Sequence, residues 1–183
     1  MKKTFLVVLA LLVVFSVSAF AQFNVKVGMD FSGEFTFEEE PVSISADIKN
    51  GFTIAGEYVV PYSDEIDFGI GLAYQFARSF DEVGANEDAT FSFVPIYGVA
   101  KYNIEQFYVL GQLGYNMFNT SEELTGDLKT EGGLYYGVGG GIKIAENIFA
   151  EILYSANNGK LTDDVDEIKV NNSQISAMVG FSF

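Results

Sequence analysis

The chain of 183 residues contains no cysteine, no histidine and no tryptophan, and only three prolines. Without cysteine there is no disulfide, no thiolate metal site and no thiol for lipid attachment. Without histidine there is no Ser-His-Asp triad and no imidazole ligand for a metal. Positive charge is scarce as well. Ten Lys and Arg stand against 25 Asp and Glu, a net charge of −15, which disfavours binding to nucleic acid phosphates. After the N-terminal segment no apolar run is long enough to make a transmembrane helix.

What the chain has in place of these is apolar surface. It is 49% hydrophobic and 15% aromatic, so it is no disordered polypeptide, and its length suits one domain. The opening "MKKTFLVVLALLVVFSVSAFAQ" carries two lysines, an apolar run from Phe5 to Val14, and Ala19-Phe20-Ala21. Those are the charged, apolar and small-x-small parts of a secretory signal. Residues 1–21 are expected to be a signal peptide cut after Ala21, leaving 22–183 as the mature domain. An uncleaved anchor is the alternative, disfavoured by the short run and the cleavage site. Cleavage removes Lys2 and Lys3, so the mature side chains carry −17.

Period two runs through almost all of the remainder. In "IDFGIGLAYQFA", Ile66, Phe68, Ile70, Leu72, Tyr74 and Phe76 share one face, and Asp67, Gly69, Gly71, Ala73, Gln75 and Ala77 the other. In "FNVKVGMDFSGEFTF", Phe23, Val25, Val27, Met29, Phe31, Phe35 and Phe37 oppose Asn24, Lys26, Gly28, Asp30, Ser32 and Glu34. Alternation of this kind means strands, and helical spacing does not fit it. Eight strands are expected, at about 23–37, 42–61, 65–78, 90–103, 106–119, 132–144, 147–157 and 167–183. The connections 62–65, 103–106 and 145–147 are tight. Those at 78–90, 119–131 and 157–167 are long and acidic, and the one at 38–41 is short between strands that run past it. Alternating short and long connections belong to an antiparallel up-and-down barrel with all its short turns at one end, the layout of an outer-membrane barrel.

Alternation alone leaves open which face is wet. An eight-stranded barrel has room inside only for side chains or one small ligand. The face rich in Phe, Tyr, Ile and Leu would fill that interior only around a large ligand. The other face is mostly Gly, Ala, Ser, Thr and Asn, with fewer Lys and Glu than a soluble exterior carries. The expectation is an all-β transmembrane barrel with its aromatics in lipid and its small residues inside. Tyr58, Tyr74, Tyr102, Tyr115 and Tyr154 then fall where interfacial girdles sit. A soluble periplasmic barrel holding an apolar ligand is the reverse assignment.

On its signal peptide, the strand-turn-strand unit "GEYVVPYSDEIDFGIGLAYQF", the segment "VPIYGVAKY" and the ending "MVGFSF", the chain resembles the small eight-stranded outer-membrane barrel proteins, the OmpA-transmembrane, OmpX and opacity-protein group. The resemblance implies an outer-membrane location with both termini periplasmic, and contact with outer-membrane lipid. It also implies that the alternating last strand, with Phe183, Phe181 and Val179, is an assembly signal read by the barrel-assembly machinery. It carries no catalytic motif and implies no cofactor.

Inward parity collects Lys26, Asp30, Glu34, Glu57, Asp67, Gln75, Lys143, Glu151 and Lys169, with Lys101 joining from the strand that holds Pro95. Unpaired buried charges are costly, so these are expected to pair across the lumen, with Glu57, Lys101, Lys143 and Glu151 as the leading network. Such a network is either a plug that rigidifies the barrel or a narrow polar conduit, and the narrow bore favours the plug. The loops hold fifteen of the 25 acids, with Arg78, Lys129 and Lys160 as loop cations. They suit a solvated rim, divalent cations or a basic surface partner. "DDVDE" lacks the spacing and glycine of an EF-hand loop, and "GVGGG" lies inside a strand and opens no helix, so it is no dinucleotide loop. The functional expectation is a non-enzymatic structural or surface-interaction protein. Its alternatives are a porin-like conduit, a lipid-acting enzyme with an acid-only site, and the soluble ligand-binding barrel.

Overall fold

The computed structural model describes residues 21–39, 42–81, 88–125, 128–162 and 167–183. The expected signal peptide lies outside them but for Ala21, as do the loop acids Glu40, Glu82, Glu87, Asp127, Asp163, Asp164 and Asp166. Nine strand segments form: β1 (Gln22–Glu39), β2 (Val42–Ile48), β3 (Gly51–Pro61), β4 (Ile66–Ser79), β5 (Thr90–Ile104), β6 (Phe107–Thr120), β7 (Lys129–Lys143), β8 (Ile148–Thr162) and β9 (Glu167–Ser182). A single-turn helix, α1 (Glu122–Thr125), follows β6. β2 and β3 are two segments of one stave. β2 pairs with the upper part of β1 (Gly33↔Ile48 to Glu39↔Val42) and β3 with its lower part (Gln22↔Val59 to Asp30↔Gly51). Each stave then pairs antiparallel with the next, and β9 pairs back on β1, which closes an eight-stranded barrel.

The faces follow the expected parity over the lower two thirds of the barrel. Ile70, Val138, Leu113 and Ile152 stand out from the wall, each more than 60% exposed, whereas Lys26, Glu57, Gln75, Lys101 and Glu151 are buried inside. Outward aromatics form two bands. Tyr74, Phe76, Tyr115, Tyr136 and Tyr154 lie toward the loop end, and Phe23, Phe68, Tyr102, Phe107 and Phe181 toward the turn end. The turn end is laced together by backbone bonds. The Tyr62 N–H donates to the Ile66 carbonyl at 2.8 Å, Asn103 N–H to Glu65 O at 2.7 Å, and Lys143 N–H to Gln106 O at 2.8 Å. Glu105, in the two-residue turn between β5 and β6, takes φ 56°, the left-handed conformation that such a hairpin turn requires.

Three irregularities change the parity in the upper barrel. Register shifts fall between Phe31 and Glu34, between Gln75 and Arg78, and between Gly132 and Tyr135. A bulge adds one residue to one strand and so reverses which side its later side chains face. At the first, Ser32 has φ 51°, and beyond it Phe35 turns inward and is fully buried while Glu34 faces out. At the second, Phe76 and Ala77 both face outward and Arg78 turns inward. The expectations for Phe35, Glu34 and Arg78 are corrected accordingly. Lys169, also expected inside, is exposed, because Val170 takes the inward position in β9.

The expected interior of small residues is corrected too. Phe35, Phe91, Phe93 and Phe118 form an inward cluster with Ile48, Leu161 and Val170 near the loop end. Lower down, large inward rings lie against inward glycines on the neighbouring strand. Tyr97 is paired with Gly71, Tyr108 with Gly141 and Phe149 with Gly180, and each ring occupies the space a Cβ at that glycine would take. The lumen is narrow, and large and small residues interdigitate to fill it.

The last long loop is shorter than expected. β8 runs on to Thr162 and β9 begins at Glu167. Asn158 and Lys160 read as loop by composition, but above the apolar band an antiparallel ladder with polar side chains on its outer face is stable in water.

The face assignment predicts the cost of a charge on the wall. Ile70→Arg should destabilise the protein folded in lipid vesicles by about 2–4 kcal/mol in denaturant titrations. Arginine at exposed Ser45, on β2, should cost less than about 0.5 kcal/mol.

Candidate functional site

The barrel interior is where the chemistry-bearing side chains meet. In β1, β3, β5, β6 and β8 the inward positions at one level are Lys26, Glu57, Lys101, Tyr108, Gln112 and Glu151. The Lys26 Nζ donates to Glu57 Oε1 at 2.7 Å and to Glu151 Oε1 at 2.8 Å. Lys101 Nζ donates to Glu57 Oε2 at 2.9 Å. Tyr97 and Gln112 also donate to Glu57 Oε1, at 3.1 and 3.2 Å, and the Tyr108 hydroxyl donates to Glu151 Oε2 at 3.1 Å. Behind them the Tyr135 hydroxyl donates to Gln112 Oε1 at 2.6 Å. The Lys101 ammonium lies over the rings of Tyr108 and Phe149, at 5.3 and 5.6 Å from their centroids.

A second cluster sits toward the loop end. Arg78 donates through Nη2 to Asp30 Oδ2 at 2.9 Å and through Nη1 to Gln174 Oε1 at 2.6 Å. Asp30 also accepts from Thr53 Oγ1 at 2.7 Å and Ser176 Oγ at 2.5 Å. The two clusters hold three cations and three carboxylates, every one of them buried and ion-paired. Balance of this kind is what burial of charge demands. A lone buried ion costs several kcal/mol, and only close pairing with further hydrogen bonds offsets that.

Of the four residues expected in the network, Glu57, Lys101 and Glu151 come together, and the bridging cation is Lys26. Lys143 is not among them. It is exposed at the turn end, where it lines a polar hollow of about 120 Å³ with Asp67, Lys101, Asn103, Tyr108 and Glu146. Inward parity at Lys26 was legible from sequence, but the cross-lumen reach of its ammonium to two strands was not. Asp30 was legible in the same way. Its partner Arg78 was hidden by the bulge. Val179, Phe181 and Phe183, expected to form an assembly signal, all face outward. The Phe183 N–H donates to Phe23 O at 2.9 Å, and its ring lies 4.8 Å from that of Phe181 and 6.4 Å from that of Phe23.

The carboxylates of the two clusters accept from Lys, Arg, Tyr, Gln, Thr and Ser donors, four at Glu57, three at Asp30 and two at Glu151. Among the described residues no group of three acids is placed to hold a metal ion, and no helix is long and apolar enough to cross a membrane, which says nothing of strands.

Comparison with known proteins bears on this arrangement. Residues 7–183 match the family described as the outer membrane protein beta-barrel domain. Among solved structures, the attachment invasion locus protein Ail of Yersinia pestis aligns with a TM-score of 0.55 and 15% identity, over 90% of this chain and 99% of its own. The outer membrane protein AlkL aligns at 0.54 and 12%, over 90% of each chain. Neisserial surface protein A aligns at 0.51 and 15%, over 88% of this chain and 97% of its own. At such identities the likeness is one of fold. No curated protein matches the chain in sequence.

The network predicts an asymmetry between two lysines. Lys26→Met leaves Glu57 and Glu151 buried without their shared cation and should cost about 3–5 kcal/mol of unfolding free energy. Lys143→Met, at an exposed position, should cost less than about 0.5 kcal/mol. Denaturant titrations of both variants in the same lipid check the difference.

Proposed function

This chain belongs to the outer membrane protein beta-barrel family, and from that premise we propose that it is a closed, lipid-anchored scaffold. It presents its loop end at the cell surface in a structural or surface-interaction role, and passes no solute. The observation that carries the reading is the double obstruction of the lumen. The Lys26–Glu57–Lys101–Glu151 cluster spans it at one level, and the Phe35–Phe91–Phe93–Phe118 cluster fills it nearer the loop end. A conduit would have to break buried ion pairs and displace stacked rings along the same path. The burial and ion pairing of Glu57, Glu151 and Asp30 argue against an acid-only lipid-acting site in the lumen, because a general acid or base must come within hydrogen-bond reach of its substrate.

The described part of the rim is acidic. Glu38, Asp81, Asp88, Glu122, Glu123, Glu131 and Glu167 are all exposed there. The partner this favours carries positive charge, either divalent cations or a basic surface. Ail of Yersinia pestis has been solved with the heparin analogue sucrose octasulfate. A sulfated polyanion is the wrong sign for this rim, so that interaction is not carried over. Val179, Phe181 and Phe183, outward-facing and apolar in the last residues of β9 and just past its end, serve in this reading as the signal for the barrel-assembly machinery.

Planar-bilayer recording tests the scaffold reading. The purified protein should give no conductance steps, and Phe118→Ala should stay silent as well, because the ionic cluster still closes the bore. Reproducible unitary steps from the unmodified protein would replace the scaffold with the conduit.

A further inference from the structure

The scaffold reading makes no use of the polar hollow at the turn end. Residues of all eight staves line it, so it is the mouth of the bore itself and no dent in the wall. Lys101, 7% exposed and bonded through Nζ to Glu57, forms its inner limit. Outward it widens into a vestibule that shares Gln22, Asp67, Asn103 and Lys143 with it. Its volume of about 120 Å³ lies below the roughly 300–1,000 Å³ of sites for drug-sized ligands, so an occupant would be small.

The lining holds bonding capacity that the protein leaves unspent. Asn24 is 4% exposed, and its Oδ1 accepts from Ser182 Oγ at 2.6 Å. Among the described residues its amide nitrogen meets no acceptor. Of the three N–H groups on Lys101, one goes to Glu57 Oε2. Asp67 faces Lys101 directly in the β4–β5 ladder, yet makes no ion pair with it, because that ammonium reaches up the lumen instead. Asp67 Oδ2 accepts from Asn103 Nδ2 at 2.7 Å, and Oδ1 is left over. Lys143 and Glu146 line the same hollow, and among the described residues neither has an ion-pair partner.

The unspent groups are of both signs. Lys101, Lys143 and Asn24 offer donors to an anion, and Asp67 and Glu146 offer acceptors to a cation. A simple anion would also meet the two carboxylates, and a simple cation the two ammonium groups. A molecule carrying both charges meets each with its opposite. Val59 and Phe149 supply apolar contact for a short carbon skeleton between them.

We propose that the turn-end hollow is a binding site for a small zwitterion of the amino acid class. Its carboxylate accepts from Lys101, Lys143 and the Asn24 amide, and its ammonium donates to Asp67 and Glu146. Charge-assisted bonds of this kind are the strong ones, and several converge within one small mouth. The Lys101–Glu57 pair need not break for the ligand to bind. With the lumen sealed above, the hollow is a dead end, but binding does not depend on that.

The test is a titration of the nitrogen-labelled mature protein in lipid nanodiscs with glycine, acetate and methylamine, followed by NMR shifts of the Asn24, Asp67, Asn103 and Lys143 amides. Glycine should give saturable shifts confined to the turn end. Acetate and methylamine, each lacking one charge, should bind at least about tenfold more weakly, the worth of one hydrogen bond to a charged group. Lys143→Met, exposed and expected to fold, should weaken glycine binding by a similar factor, whereas Lys160→Met at the loop end should leave it unchanged. Absence of saturable shifts with glycine overturns the site. Acetate binding as well as glycine makes it an anion site, methylamine binding as well makes it a cation site, and either overturns the zwitterion. Unaltered glycine binding in Lys143→Met overturns the placement of the carboxylate.

Discussion

Hydrocarbon offers no hydrogen-bond partner to a backbone N–H or carbonyl, so a sheet that crosses a membrane cannot keep a free edge. The seam between β1 and β9 meets that constraint, and much else depends on it. The register runs from Asn24↔Ser182 to Glu38↔Lys169 with one bulge, and the terminal Phe183 N–H still donates to Phe23. Closure with eight staves sets a narrow bore. The narrow bore forces rings to lie over glycines, as Tyr108 does over Gly141, and brings Lys26 within reach of carboxylates on both β3 and β8. The ion pairs are thus a consequence of closure as much as a support for it.

Outside, the constraint has a simpler form. Lipid is as apolar as a leucine side chain, so the wall needs only to be apolar, and it tolerates Phe, Ile, Leu and Val with little regard to fit. Inside, size and charge must match from strand to strand. Glu57 accepts from four different side chains on three other staves, Lys26 on β1, Tyr97 and Lys101 on β5 and Gln112 on β6. A change on the outer face perturbs one contact with lipid, whereas a change at Glu57 or Lys26 leaves several partners without theirs.

Strand existence, the tight turns, barrel closure and the inward parity of Lys26, Asp30, Glu57 and Glu151 were legible because alternation is a local signal with a period of two. Parity beyond a bulge was not legible, since a single extra residue reverses it. "FSGEFTF" reads as one continuous alternation, yet Phe31 and Phe35 lie on opposite sides of the wall, and Arg78 passes from loop cation to buried partner of Asp30 for the same reason. The glycine in the first of these segments and the left-handed Ser32 mark the place only in retrospect. The Lys26 bridge was out of reach for a different cause. Parity says that a side chain is inside, and only the closed barrel says which opposite strand it meets.

The central claim is the division of aromatic and apolar residues between lipid and lumen, including those that the bulges redirect. The absence of tryptophan makes it directly measurable, because any introduced indole is the sole one. Single-tryptophan variants Leu113→Trp and Ile152→Trp on the outer face, and Phe35→Trp and Phe118→Trp inside, would be folded into vesicles containing brominated lipid. Strong quenching of the first two with little quenching of the second two is the predicted result. Equal quenching of all four, or quenching of Phe35→Trp above Ile152→Trp, would contradict the assignment of the faces and the interior argued from it.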